Sequence, residues 1–163
     1  MGGFDARFKT AWREDSDLYF SILARGGRVV RAERALVTHP VRQTSWGVSL
    51  RLQRNSMYNA LLYKKHPQLY RQRIQAGPPW RYYVIVLALS TVLLGLARES
   101  PMLAATGGAL WLLLTARFCL QRLRDTARDT AHVAEMVLTS MLIPPLSVFW
   151  RLRGAIKYRV FFI

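Results

Sequence analysis

The chain has 163 residues, 52% hydrophobic and 20% charged, with a formal net charge of +15 from 24 basic and 9 acidic side chains. Its single cysteine, Cys119, excludes an intramolecular disulfide and a cysteine-rich metal site. The cations would suit either nucleic acid or an anionic membrane surface, but no helix-turn-helix, RNP-like strand or zinc-finger spacing accompanies them. Nucleic acid is therefore not an expected partner.

Met1 to Phe8 reads as a loop, with Gly2-Gly3 allowing a turn or a close backbone approach. Glu14-Asp15-Ser16-Asp17 then opens a helix over about Glu14 to Arg25. Leu18 and Ile22, like Tyr19 and Leu23, are four apart, and Gly26-Gly27 supplies the stop. Carboxylates favour a first helical turn because unpaired N–H groups and the macrodipole stabilise negative charge, so the acidic cluster has a sufficient structural explanation. Asp15 precedes Leu18 and Tyr19 by three and four residues, which predicts a side chain on the packing side, at the edge of a cleft, with Asp17 pointing elsewhere.

Residues 28–38 carry β-branched side chains at both ends and predict two short strands joined around Ala32-Glu33-Arg34, ending at His39-Pro40. A long helix is expected from about Trp46 to Lys65, striped by Leu50, Met57, Leu61 and Leu62, with Pro67 ending or bending it. Tyr70, Trp80, Tyr82 and Tyr83 among basic residues suit the headgroup layer of a membrane, and Gly77-Pro78-Pro79 marks entry to an apolar segment.

Residues 82–97 and 102–116 carry no charge. Extended back to Trp80 and forward through Leu120, with Arg117 snorkelling, each approaches the length of about 20 residues that a bilayer span requires. Lys64, Lys65, Arg71, Arg73 and Arg81 precede the first span. Arg117, Arg122, Arg124 and Arg128 follow the second, and only Arg98 and Glu99 lie between. This positive-inside pattern predicts a multi-pass protein of the inner (cytoplasmic) membrane with residues 1–79 in the cytoplasm. Residues 1–20 hold too many charges for a signal peptide, so the first span is expected to direct insertion.

Gln121 to Ala131 reads as a polar cytoplasmic connector. The last apolar run, His132 to Trp150, is broken at Pro144-Pro145 and followed by Arg151, Arg153, Lys157 and Arg159. A third crossing would strand those cations outside. A re-entrant or interfacial helix pair kinked at the prolines fits the charge rule better.

Taken in order, Gly2-Gly3-Phe4-Asp5, Glu14-Asp15 opening a helix that ends in Gly26-Gly27, and a strand pair closing on His39 resemble the acceptor-side, C-terminal half of a membrane-bound family 2 glycosyltransferase. The stretch from Ser45-Trp46 through Tyr63-Lys64-Lys65-His66-Pro67, the Ile143-Pro144-Pro145-Leu146 segment and Tyr158-Arg159 resemble the membrane tail of such enzymes. The resemblance implies a mainly α chain with a short β segment. A partial GT-A α/β catalytic domain would occupy 1–79, two transmembrane helices 80–120, and a connector with an interfacial or re-entrant segment 121–163.

It implies inverting transfer of a sugar from a nucleotide-sugar to a lipid-linked or polysaccharide acceptor. Asp15 would be the general base and Glu14 would orient the acceptor or complement the helix terminus. Gly3, Phe4, Asp5 and Trp12 would lie on the acceptor side, Arg42, Arg51 and Arg54 near the diphosphate, and His39 at a divalent metal, Mg or Mn. The nucleotide-binding half with its Asp-x-Asp motif is not matched in this sequence, so the chain is expected to be a fragment, inactive alone, that works with a separate donor-binding half. From the residues alone, a non-enzymatic basic membrane protein that assembles or anchors partners remains the other reading.

Overall fold

The computed structural model describes residues 2–38, 45–124, 126 and 129–162. The described residues form seven α-helices: α1 (Glu14–Ala24), α2 (Val48–Leu52), α3 (Met57–Lys65), α4 (Pro67–Arg73), α5 (Trp80–Ala97), α6 (Pro101–Leu123) and α7 (Thr130–Tyr158), with a 3-10 turn at Gln53–Ser56 between α2 and α3. They divide into two compact units. One comprises residues 1–45, 55–77 and 151–163; the other comprises 46–54 and 78–150.

The first unit is built on an aromatic core. Phe8, Phe20, Tyr58, Leu61, Leu62, Tyr70 and Phe162 are buried together, and Tyr63, Tyr70 and Phe162 form a triangle of rings with centroids 5.1–5.6 Å apart. Tyr70, expected in the headgroup layer, is a core residue of this unit. The helix ends before Pro67 as expected: α3 stops at Lys65, and Pro67 opens α4 at the first helical position, where its missing N–H and fixed φ are suitable. The C-terminal end of α7 belongs to the same unit. Gly154 lies so close to Met57 that an added Cβ would sit 2.6 Å from the Met57 carbonyl oxygen. Lys64 Nζ donates to the Tyr158 carbonyl at 2.7 Å.

The short β segment does not form. Residues 28–38 make a turn through Glu33-Arg34, closed by Ala35 N donating to the Ala32 carbonyl, but no strand is present among the described residues. Val29, Val30, Leu36 and Val37 are exposed. β-Branched residues favour strands only where a partner accepts the backbone bonds and a face is covered, and neither is supplied here. The described chain is mainly helical, and the GT-A α/β domain is not seen in it.

The helix expected over Trp46 to Lys65 is interrupted. Gly47 adopts φ +72 before α2, and Gln53–Ser56 tightens into a 3-10 turn around buried Asn55. Asn and Ser bond locally in competition with helical hydrogen bonds, which favours a break at this point.

In the second unit, α5 and α6 form an antiparallel hairpin over the two uncharged segments. Close approach rests on small residues. A Cβ on Gly95 would lie 2.4 Å from Ala104 N, and one on Gly107 would lie 2.9 Å from Val92 N. The turn follows from helix C-capping: Glu99 takes φ +50, Ser100 N bonds the Gly95 carbonyl and Glu99 N bonds the Leu96 carbonyl, the paired bonds of a Schellman motif. Ile85, Phe118 and Ile143 form the buried centre of this unit, flanked by Leu50, Tyr82, Trp111 and Leu114.

The last apolar run is one helix of 29 residues with Pro144 and Pro145 inside it, not a helix pair broken at the prolines. Each proline removes one backbone donor without ending the segment, as apolar helices tolerate when packed neighbours support them. Ile143 and Pro144 are buried. Three helices, α5, α6 and α7, are thus long and apolar enough to cross a membrane.

Candidate functional site

The polar centre of the first unit joins the loop before α1, the buried face of α1 and the end of α3. Asp5 closes a turn by accepting from Arg7 N at 3.0 Å. It takes the Arg7 guanidinium as a fork, Nε to Oδ1 at 3.0 Å and Nη2 to Oδ2 at 2.7 Å. Lys65 Nζ bridges Asp5 Oδ2 at 2.7 Å and Asp17 Oδ2 at 2.5 Å. Asp17 is 3% exposed, and its other oxygen lies 3.0 Å from His66 Nε2. The hydrogen bonds from Arg7, joined by Lys65, hold the Asp5 carboxyl well below the usual carboxylate range against the opposing effect of burial. The same pairing raises the Arg7 guanidinium.

Ser21 Oγ lies 3.5 Å from the His66 nitrogen that Asp17 already engages. A nucleophile relay needs carboxylate and hydroxyl on opposite ring nitrogens, so Ser21, His66 and Asp17 are not arranged for one. The cluster is a charge network that ties α1 to α3.

The three acids of the α1 start have separate fates. Glu14 is half-buried, and its Oε2 has no hydrogen-bond partner among the described residues. Asp15 is exposed, its Oδ1 accepting from Ser16 N at 2.6 Å and Ser16 Oγ at 3.3 Å. Asp17 is the buried one. The expected orientations are thus reversed, because the buried face of α1 runs through Asp17 and Phe20 and Lys65 and His66 make burial of the carboxylate tolerable.

Of the other expected site residues, Gly3 (φ +72) and Phe4 are exposed in the opening loop. Trp12 is 39% exposed, with the Arg13 guanidinium 5.2 Å from its ring, and Arg13 Nε donates to Asn59 Oδ1 at 2.8 Å. Asp5 is joined to Asp17 through Lys65, not to Asp15. Arg51 and Arg54 are exposed and belong to the second unit. His39 and Arg42 lie outside the described residues. Among the described residues no three metal-ligating side chains converge.

Lys65 and His66 escaped the sequence reading because they stand in a basic tract that fits a membrane surface equally well. The one signal for them was Pro67, which sets the helix end so that both side chains fall at the C-terminus of α3.

No family model, curated protein or solved structure matches this chain.

Proposed function

We propose that this chain is the acceptor-side and membrane-anchoring part of an inverting family 2 glycosyltransferase of the cell envelope, with Asp15 as the general base. One observation carries the reading: Asp5 and Asp17 are consumed by Arg7, Lys65 and His66, while Asp15 faces solvent with Ser16 as its one hydrogen-bond partner among the described residues. A base must reach the hydroxyl it deprotonates, and Asp15 meets that requirement. Glu14 and Trp12 flank it. Gly3 and Phe4 contribute the acceptor-side loop.

Exposed Val29, Val30, Leu36 and Val37 support the partial-domain reading, since they are the residues that would lie against a sheet of the donor-binding half. From this chain, His39 is the residue proposed to reach the divalent metal, and Arg42 the diphosphate.

Residues 55–77 and 151–163 pack into the same unit, which supports placing them on one side of the bilayer with an even number of crossings between them. We assign the two crossings to α5 and α6. Helix α7 then lies along the cytoplasmic interface, and Arg151, Arg153, Lys157 and Arg159 stay on the side the positive-inside rule requires.

The test is sugar transfer in membranes that contain the full chain with and without a co-expressed donor-binding half, using labelled nucleotide-sugars. Transfer is expected only with both halves. Asp15→Asn should lower turnover at least about 100-fold while nucleotide-sugar binding is retained. Undiminished transfer by that variant refutes the assignment of Asp15. Absence of both transfer and nucleotide-sugar binding favours the anchoring-subunit reading.

A further inference from the structure

An apolar groove of about 350 Å³ runs between α6 and α7 in the second unit, lined by Trp111, Thr115, Cys119 and Leu123 of α6 and by Val137 and Met141 of α7. Its walls are almost wholly hydrocarbon, yet Trp111 Nε1 and Thr115 Oγ1 are buried and without a hydrogen-bond partner among the described residues. From Trp111 to Arg124 the groove follows α6 for about 20 Å at 1.5 Å per residue. Toward the C-terminal end of α6 it continues into two adjoining hollows that share Leu120 and are bordered by Arg117 and Arg124.

The cations of this end divide into two kinds. Arg122 is committed to the protein, with Nη1 donating to Thr139 Oγ1 at 2.7 Å and Ser140 Oγ at 2.9 Å. Arg81 donates to Gln121 and lies over the Phe118 ring. Arg117 and Arg124 are exposed and have no hydrogen-bond or ion-pair partner among the described residues. An unpaired guanidinium at the edge of hydrocarbon favours a phosphate, which its planar fork recognises.

We propose that the groove binds one anionic phospholipid of the cytoplasmic leaflet, its acyl chain along α6 against Val137 and Met141 and its phosphate on Arg117 and Arg124. The inference rests on the membrane placement of α5 and α6 and is independent of sugar transfer. Apolar tail and anionic head meet the two parts of the groove in the order that helix α6 presents them.

Native mass spectrometry of the full chain released from a neutral detergent tests this, with equimolar dioleoyl-phosphatidylglycerol and dioleoyl-phosphatidylcholine as probes. The chains are identical, so a difference reports the headgroup. The wild-type protein should retain phosphatidylglycerol at least about tenfold better. The Arg117→Gln, Arg124→Gln double variant should lose that preference, bringing the two lipids to within about twofold while holding phosphatidylcholine as before, which also shows that the groove is intact. Ala116 also lines the groove, and Ala116→Phe, which narrows it, should lower retention of both lipids and leave their ratio unchanged. Equal retention of both lipids by the wild type, or a preference that survives in the double variant, overturns the proposal. So does displacement of the lipid by millimolar inorganic phosphate, which would assign the arginines to a free anion, or a lipid-free dimer, which would assign the groove to a second copy.

Discussion

Replacing Asp17 by Asn keeps the side-chain volume and removes the charge that Lys65 and His66 share. Loss of one partner from a buried ion pair costs about 3–5 kcal/mol when the remaining charge is stranded. Here Lys65 keeps Asp5 at 2.7 Å and its side chain is 23% exposed, so the stranding is partial and the expected cost is about 2–3 kcal/mol. Hydrogen–deuterium exchange of the full chain in lipid nanodiscs reads this directly. Amides of α1 and α3 should exchange about 30- to 150-fold faster in the variant. Asp15→Asn is the internal control: its carboxylate is exposed and interacts with Ser16 and the helix terminus, worth about 1 kcal/mol or less, so exchange should rise less than about fivefold. If Asp17→Asn exchanges at the wild-type rate, or if Asp15→Asn matches it, the division of roles between the two carboxylates is wrong.

Two further outcomes follow from the same structure. The Asp5 carboxyl is depressed in the folded chain relative to about 3.9 in the unfolded chain, so its stabilising contribution is complete above about pH 4 and is lost as pH falls through the folded value. Proteolytic resistance of residues 1–24 should therefore decline below about pH 4, and Asp5→Asn should be weaker at neutral pH and flatter on acidification; an unchanged acid profile would remove Asp5 from the network. In the hairpin, Gly108→Ala meets nothing within 4 Å and should gain up to about 1 kcal/mol of helix propensity, whereas a Cβ at Gly95 meets the Ala104 backbone at 2.4 Å and should cost about 1–3 kcal/mol. Thermal midpoints in detergent should move in opposite directions, and movement in the same direction would show that α5 and α6 do not pack at Gly95.

Much of the fold was legible in the order of residues. The boundary at Ala97 and the restart at Pro101 follow from uncharged runs split by Arg98-Glu99-Ser100-Pro101, and the stop of α1 follows from Gly26-Gly27, because both signals act through local backbone geometry and solvation. The same local reasoning failed for residues 28–38. Their β-branched side chains state a preference for strand, but a strand is completed by a partner that only tertiary structure supplies. It failed again at α7, where two prolines argue for a break and packing of Ile143 and Pro144 sustains one helix.

For the candidate site, sequence located the acidic helix start at Glu14-Asp15-Ser16-Asp17, because first-turn carboxylates follow from local helix geometry. Which acid faces outward was decided only when α3 was placed against α1: Lys65 and His66, some fifty residues downstream, draw Asp17 inward and leave Asp15 in solvent. Sequence alone determined α1, α5 and α6 and the charge asymmetry about the apolar runs, since these depend on neighbours within a few residues. The pairing of charges across distant segments and the groove beside α6 arose from long-range contacts, which no local pattern encodes.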